Sequence, residues 1–269
     1  KAIKPLGKVI ELGGSDSVTY GLLGFSYSSL DKQVAAESAY RMAILLDAET
    51  LDWKMGLAKT FFKQERFAQA VSLCNTLLAE YPDRADLWLL QANAYIGMSK
   101  SEKAAQIYEF VDQMGESTVA SLNMLGDIYV NEKLYSMAAD AYIRAMRKNP
   151  AECRRRAIRS AKILAARGAH DETRSLLENI DRFYGEQMQV EQKKDLLKLR
   201  ARLAVASGAG DEEVKVLEQI VELDPLDGEA LILLGQHSAR NGDVEKAQFY
   251  YERAASIEDY EADAKVRHA

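Results

Sequence analysis

Residues 119–152 read VASLNMLGDIYVNEKLYSMAADAYIRAMRKNPAE and contain a pattern that recurs along the chain. In the first half, four residues stand at i, i+3, i+4 and i+7, the spacing of one helix face: Leu122, Leu125, Gly126 and Tyr129. The second half has another stripe at one-turn intervals, made of Ala138, Tyr142 and Ala145. Pro150 ends this stripe, because proline is poorly tolerated inside a helix. The stretch predicts two short antiparallel helices.

The same arrangement of residue types returns every 34 positions, so Leu51, Ala85 and Val119 are equivalent. With Val119 as position 1, large apolar residues fall at positions 4, 7, 11 and 24, small residues at 8, 20 and 27, and proline at 32. Small residues let two helix axes approach to about 8–10 Å, and large residues fill the grooves beside them. A single helix pair cannot cover its own apolar face, so the pattern predicts several stacked pairs.

This signature resembles the tetratricopeptide repeat (TPR), a helix-turn-helix unit with that period. The resemblance covers residues 17–259 and implies an all-α fold, a right-handed α-solenoid of TPR helix-turn-helix repeats. Residues 87–95 and 125–132 look like bacterial TPR proteins, including periplasmic ones found alongside TonB-type energy transducers. The compartment stays open between cytoplasm and periplasm.

The repeat frame predicts four parts of the chain. They are a half-repeat or N-terminal tail at 1–16, four regular repeats at 17–152, three less regular repeats with an insertion near 181–192 at 153–259, and the start of a truncated or capping helix at 260–269. Pro5 and Gly7 are poor residues for a helix interior, so the first part is also consistent with a docked tail. The glycine pairs at 13–14 and 208–210 are interpreted as helix-ending turns.

Composition narrows the class of protein. The chain has 269 residues, of which 48% are hydrophobic and 28% charged, values that favour a well-packed chain. It contains no uninterrupted apolar run of about 18 residues or more, the length that indicates a membrane-spanning helix. The net charge of −6 and the pI near 5.3 disfavour nucleic acid as a partner.

The sequence shows no recognisable catalytic or metal-binding motif. Cys74 and Cys153 lie in distant repeats, so we expect no disulfide between them. None of the three histidines stands at i, i+4 from another histidine or cysteine, and no glycine-rich phosphate loop is present. We therefore predict no catalytic, cofactor-binding or metal-binding residue. Most tyrosines fall on repeat positions and are expected in the core.

The resemblance also implies a groove lined by the first helix of each pair. In copies one to four its residues are apolar or carry amide and acidic groups: Phe25, Met55, Phe62, Leu89, Asn93, Ile96, Asn123, Asp127 and Asn131. In copies five to seven they are basic: Arg155, Arg159, Lys162, Lys198 and Arg202.

Two interpretations of the basic residues remain open. The charges could pair between repeats, or they could accept an acidic segment, for which arginine is well suited. The carboxylate clamp of chaperone-binding TPR proteins is only half matched, by Asn93, Arg155 and Arg159, because Leu89 and Met124 replace two of its polar residues.

The sequence thus predicts a noncatalytic protein-protein interaction scaffold whose groove binds an extended or helical partner segment, with an acidic segment as one option. The alternatives are a self-association module that forms a homo-oligomer, and an accessory subunit of a bacterial envelope machine such as a TonB-type transport system.

Overall fold

The computed structural model of the chain describes residues 2–207 and 210–268. Within these residues the regular structure consists of sixteen α-helices and two short 3₁₀ turns, without a strand. The predicted all-α class is confirmed. The chain forms two compact units, residues 1–128 and 129–269, and helix α8 contributes residues to both.

Unit 1 contains seven helices and most of an eighth. They are α1 (Ile3–Glu11), α2 (Ser17–Ser29), α3 (Gln33–Leu46), α4 (Leu51–Lys63), α5 (Phe67–Glu80), α6 (Ala85–Gly97), α7 (Ser101–Gln113) and α8 (Val119–Asn131). Unit 2 contains the end of α8 and eight further helices. They are α9 (Tyr135–Lys148), α10 (Pro150–Ala166), α11 (His170–Tyr184), α12 (Val190–Ser207), α13 (Gly210–Leu223), α14 (Gly228–Arg240), α15 (Val244–Ala255) and α16 (Glu261–His268).

The helices of the regular repeats begin at a constant interval, which equals the period of the sequence pattern. First helices begin at Ser17, Leu51, Ala85 and Val119, and second helices at Gln33, Phe67, Ser101 and Tyr135. The sequence period therefore corresponds to one helix pair, as the spacing of small and large residues predicts.

The turn inside each regular pair has the same backbone conformation. Four non-glycine residues, again one repeat period apart, have φ between 58° and 60°: Asp31, Glu65, Ser99 and Lys133. The amide of the following residue donates to a carbonyl five residues earlier, as in Lys32 to Tyr27 at 2.9 Å and Arg66 to Phe61 at 3.0 Å. This closure satisfies carbonyls that the helix end leaves unpaired. Gly168 and Gly242 also have positive φ in the turns of later pairs.

Close packing in unit 1 depends on aromatic rings that lie against glycines. Tyr40 is buried in a cluster with Leu57 and Phe61. A Cβ atom added at Gly56 would lie 2.4 Å from Cζ of Tyr40, and one added at Gly24 would lie 2.9 Å from the same ring. The helices can approach this closely only because these positions have no side chain.

The first residues form helix α1 even though they include Pro5 and Gly7. Pro5 is the third residue of α1, where a backbone N–H needs no partner within the helix, so its ring is tolerated. Gly13 ends the segment with φ of +87°, and the amide of Gly14 donates to the carbonyl of Val9 at 2.9 Å. Helix α1 contacts α2 but buries none of its own residues. Its assignment as a half-repeat stays a prediction.

The region near residues 181–192 differs from the regular connections. Helix α11 ends at Tyr184, a 3₁₀ turn occupies Gly185–Gln187, and α12 then runs for 18 residues from Val190. The additional residues thus form both a turn and an extended first helix. The predicted turn at Gly208 and Ala209 lies outside the described residues.

Burial of the repeat tyrosines follows the prediction only in part. Five are buried: Tyr40, Tyr108, Tyr129, Tyr142 and Tyr251. Three on first helices are half-buried, which corrects the expectation that they belong to the core: Tyr20, Tyr27 and Tyr95. Tyr27 and Tyr95 pack at the edge of a core cluster near a turn, where fewer neighbours surround the ring.

Both cysteines are free and buried. Burial raises the pKa of Cys74 to about 12, so this thiol is protonated at neutral pH. Among the helices that the structure describes, none combines the length and the apolar character required to cross a bilayer.

Candidate partner-binding surface

The apolar groove residues predicted in unit 1 differ widely in exposure. Phe25 on α2 is 64% exposed, and Val18 and Leu22 on the same helix are also exposed. These three residues stand at i, i+4 and i+7, so they form one apolar stripe on α2. The remaining predicted residues of this type on α4 and α6 are half-buried, namely Phe62, Leu89 and Ile96.

Met55 does not belong to an accessible surface, which corrects the prediction for this residue. Its side chain is only 5% exposed and packs in a cluster with Leu77, Leu87 and Leu90. Leu87 and Leu90 lie on the next first helix, α6. The unbranched side chain of Met55 therefore fills the contact between α4 and α6.

The polar residues predicted on α6 and α8 make partly internal contacts. Asn93 is exposed, but its Oδ1 accepts a hydrogen bond from the hydroxyl of buried Tyr108 at 2.6 Å. Nδ2 of Asn123 donates to the carbonyl of Val119 within α8 at 2.8 Å. Asp127 is half-buried and Asn131 is exposed.

Helix α10 presents three basic side chains in a row. Arg155, Arg159 and Lys162 stand at i, i+4 and i+7, and all three are exposed. The opposite face of α10 is buried through Cys153, Ala157, Ser160, Ala161 and Leu164. The amphipathic pattern of α10 therefore fixes the direction of the basic row.

The two lysines of the predicted basic groove are engaged in ion pairs between successive first helices. Nζ of Lys162 on α10 lies 2.8 Å from Asp195 on α12. Nζ of Lys198 on α12 lies 2.9 Å from Asp227 and 3.2 Å from Glu229 of the α14 N-terminus. Pairing between repeats, one of the two interpretations of the sequence, thus applies to both lysines.

Asp227 links this ion pair to helix capping. One carboxylate oxygen accepts a hydrogen bond from the amide of Ala230 at 3.0 Å, which caps α14, while the other faces Lys198. Burial lowers the pKa of Lys198, but hydrogen bonds to Asp227 and Glu229 outweigh it and raise the pKa above its ordinary value. Lys198 is therefore held as a cation.

A second pair on α12 strengthens the same connection. Nζ of Lys194 lies 2.7 Å from Asp224, just before α14. The hydrogen bond from Lys194 lowers the pKa of Asp224, so this carboxylate stays ionised at neutral pH.

The three arginines of the predicted groove differ from the lysines in their ion pairing. Within residues 2–207 and 210–268, no carboxylate lies at ion-pair distance from Arg155, Arg159 or Arg202. Lys162, Lys198 and Arg202 line one cavity of about 430 Å³ between α10, α11 and α12, together with His170. Basic residues from α10 and α12 therefore meet at one site, although the connection between these helices is long.

The sequence analysis did not predict which acidic residues pair with the two lysines. Asp195 follows Lys162 by 33 residues and Glu229 follows Lys198 by 31 residues, each close to one repeat period. This spacing is the signal that could have indicated a pair between first helices. Within the described ranges, no group of three His, Cys, Asp or Glu side chains is arranged to bind a metal ion.

Family models described as tetratricopeptide repeat match three ranges of the chain. The ranges are 34–94, 61–112 and 198–263, which together exceed half of the chain. The chain belongs to the tetratricopeptide-repeat family. It is therefore a protein-interaction scaffold in the general sense of that family, whose fold is generally noncatalytic.

Three solved bacterial structures share this fold. A tetratricopeptide repeat protein from Parabacteroides merdae has 15% identity and a TM-score of 0.51, over 94% of this chain and 97% of that one. The C-terminal part of a TPR repeat-containing protein from Cytophaga hutchinsonii has 14% identity and a TM-score of 0.64, over 87% and 93%. PilF from Pseudomonas aeruginosa has 18% identity and a TM-score of 0.51, over 78% and 92%. No curated protein sequence matches this chain.

Proposed function

We propose that the chain binds an acidic segment of another protein along α10 and α12, through Arg155, Arg159 and Arg202. The observation behind this proposal is the contrast between the lysines and the arginines of the basic row. Lys162 and Lys198 already have carboxylate partners, whereas the three arginines have none among the described residues. The arginines are therefore the groups that remain for an external anion.

Arginine suits this role because its planar guanidinium binds a carboxylate through two parallel hydrogen bonds. Arg155 and Arg159 are four residues apart, about 6 Å along the helix. Alternate side chains of an extended segment are separated by about 6.6 Å, since a strand rises about 3.3 Å per residue. A segment with acids at alternate positions can therefore face both arginines.

The basic surface on α10 differs in sign from the net charge of the chain. The whole chain has a net charge of −6, while residues 154–167 contain basic residues and no acid. The net negative charge of the chain repels an acidic partner, while this basic stretch attracts it, which favours one binding register.

A fluorescein-labelled peptide with glutamate at alternate positions tests the proposal by fluorescence anisotropy. We expect Arg159→Glu to weaken binding by about tenfold or more, which corresponds to about 1.4 kcal/mol. Arg182→Glu is the matched control, because Arg182 is an exposed arginine on α11 and undergoes the same charge change. Binding should also weaken as salt rises.

Equal losses in Arg159→Glu and Arg182→Glu would show a general effect of net charge and would contradict the proposal. A peptide in which every glutamate is replaced by glutamine should not bind. If it bound as well as the acidic peptide, the arginines would not be recognising carboxylates.

A second candidate function, self-association, is favoured by the exposed stripe of Val18, Leu22 and Phe25 on α2. Contiguous apolar surface of this kind often marks an interface. Sedimentation velocity over a hundredfold range of concentration should then show a larger species, and Phe25→Asp should abolish it. A mass that stays constant in the wild type would exclude this candidate.

A further inference from the structure

Within residues 2–207 and 210–268, one repeat position carries a small buried residue in every helix pair except one. This position lies in the first turn of the second helix and holds Ala36, Ala70, Ala104, Ala138, Thr173 and Ala247, all of which are buried. In the pair α12–α13 the equivalent residue is Glu213, which is only 7% exposed. A carboxylate thus replaces a methyl or hydroxyl group at a site of close helix contact.

A second substitution in the same pair changes the space around Glu213. Four residues later in the repeat frame, a tyrosine occupies the core of four pairs: Tyr40, Tyr108, Tyr142 and Tyr251. The pair α12–α13 has Leu217 instead. Two other pairs also lack the tyrosine and have Cys74 or Leu177 at this position. In those pairs, however, the position equivalent to Glu213 holds a small residue, Ala70 or Thr173. Among the helix pairs that the structure describes, only α12–α13 combines a shorter apolar residue with a buried acid.

These two substitutions coincide with a cavity of about 240 Å³ between α12, α13 and α14. Its apolar wall is formed by Ala201, Leu217, Ile220, Ala230 and Leu233. Its charged lining consists of Lys198, Arg202, Glu213 and Glu229. Since one water molecule occupies about 30 Å³ in the liquid, the cavity has room for a side chain.

The carboxylate of Glu213 has no hydrogen-bond or ion-pair partner among the residues that the structure describes. Lys198 is occupied by Asp227 and Glu229, and Arg202 lines the cavity without reaching ion-pair distance of Glu213. The carboxylate oxygens of Glu213 are not fully enclosed, so a cation that enters the cavity can reach them. Glu213 lies in the first turn of α13 and lines the cavity, and no cation of the described residues pairs with it.

We propose that this cavity receives a lysine side chain of the partner segment, whose ammonium group pairs with Glu213 while its four-carbon stem lies on the apolar wall. The inference rests on the proposed function, because acidic residues beside this lysine would bind Arg202 at the same cavity. Lysine fits better than arginine. A guanidinium carries five N–H donors in a plane, and Glu213 is the one carboxylate of the lining that lacks a partner in the described residues.

Two acidic peptides that differ at one residue test the inference. One carries a central lysine between glutamates, and the other carries norleucine, which keeps the stem and lacks the charge. We expect the wild-type chain to bind the lysine peptide about tenfold more tightly by isothermal titration calorimetry. In Glu213→Gln this preference should vanish. In the control Glu222→Gln, an exposed acid on the same helix, it should persist.

The stability of the free chain provides an independent readout. Glu213→Ala places the residue of the other repeats at this position, so we expect a higher Tm in the absence of peptide. A lower Tm would show that the carboxylate already has a structural partner, and this result would overturn the inference.

The outcomes separate this inference from the proposed function. If both peptides bind equally well and Arg159→Glu weakens both, the arginine surface stands and the lysine cavity is wrong. If neither peptide binds, the arginine surface is wrong. The cavity is then tested with N-acetyl-lysine methylamide against its norleucine analogue by ligand-detected NMR, and the absence of a preference for lysine would overturn it.

Discussion

The helix pairs α6–α7 and α12–α13 occupy equivalent places in the repeat, but their interiors are filled differently. In α6–α7 the residues Ala92, Ala104 and Tyr108 are fully buried, and the tyrosine hydroxyl donates to Asn93. In α12–α13 the corresponding residues include Glu213 and Leu217, which line a cavity. The comparison teaches that different residues at two repeat positions can leave a cavity where another helix pair is filled.

The largest expected difference between the two pairs concerns the equivalent residues Tyr108 and Leu217. Tyr108 is 1% exposed, and Tyr108→Ala removes a ring and a hydrogen bond, so we expect a loss of about 3–5 kcal/mol. Leu217→Ala should cost about 2 kcal/mol, the low end for such changes, because Leu217 already faces a cavity. Urea unfolding measures both. Equal losses would mean that the two interiors are packed alike.

Substitution of two glycines by alanine is expected to change stability by smaller amounts and in opposite directions. A Cβ at Gly56 would lie 2.4 Å from the Tyr40 ring, so Gly56→Ala should destabilise by about 1–3 kcal/mol through overpacking. Gly185 has helical dihedral angles and no atom within 4 Å of the added carbon. Gly185→Ala should therefore stabilise by about 0.4–1 kcal/mol. Thermal unfolding measures the Tm of both variants. If both Tm values shifted in the same direction, the expected difference in packing density between the two sites would be contradicted.

The half-buried carboxylate of Glu37 in unit 1 has several partners, in contrast to Glu213. Glu37 accepts hydrogen bonds from Arg41 at 2.9 Å, Gln64 at 3.0 Å and Arg66 at 2.5 Å. Burial alone would raise the pKa of Glu37, but these hydrogen bonds outweigh it and lower the pKa.

Because its folded-state pKa is depressed, Glu37 stabilises the fold above the ordinary glutamate value of about 4.3, and this contribution is lost as pH falls through the folded-state pKa. Glu37→Gln should thus cost about 1–2 kcal/mol at pH 7 and much less at pH 3, as measured by urea unfolding. Exposed Glu49→Gln is the control and should have little effect at either pH. A pH-independent loss in Glu37→Gln would show that charge is not the cause.

The smallest effect is expected for the exposed ion pair between α10 and α12. Side chains of Lys162 and Asp195 are each about half exposed, and such pairs contribute about 0–1 kcal/mol. Lys162→Met should lower stability by an amount within this range in thermal unfolding. A loss well beyond the range of an exposed pair would indicate that the contact holds the two helices together.

Local features were the part of the fold that could be predicted from the sequence. The repeat spacing predicted where helices such as α4 and α6 begin, because helix formation and small-residue contacts depend on residues within one or two pairs. The resemblance to TPR proteins implied that Arg155 and Arg159 lie on the groove side of a first helix, and both are exposed. The prediction of exposure was wrong where a neighbouring helix covers the residue, as at Met55, which packs against α6.

The pairing of charges and the cavity could not be read from the sequence. Lys198 and Asp227 lie in different helix pairs, and their contact depends on how α12 and α14 are aligned across the intervening helix. The sequence shows Glu213 as a deviation from the repeat, but its burial without a partner and the space beside it are properties of three packed helices.

The central claim, that partner binding resides on α10 and α12, is tested most directly by hydrogen exchange with the alternating acidic peptide bound. The account predicts slower amide exchange within residues 150–207 and unchanged exchange in helices α2, α4 and α6. Protection confined to residues 17–97, or no protection at saturating peptide, would contradict it.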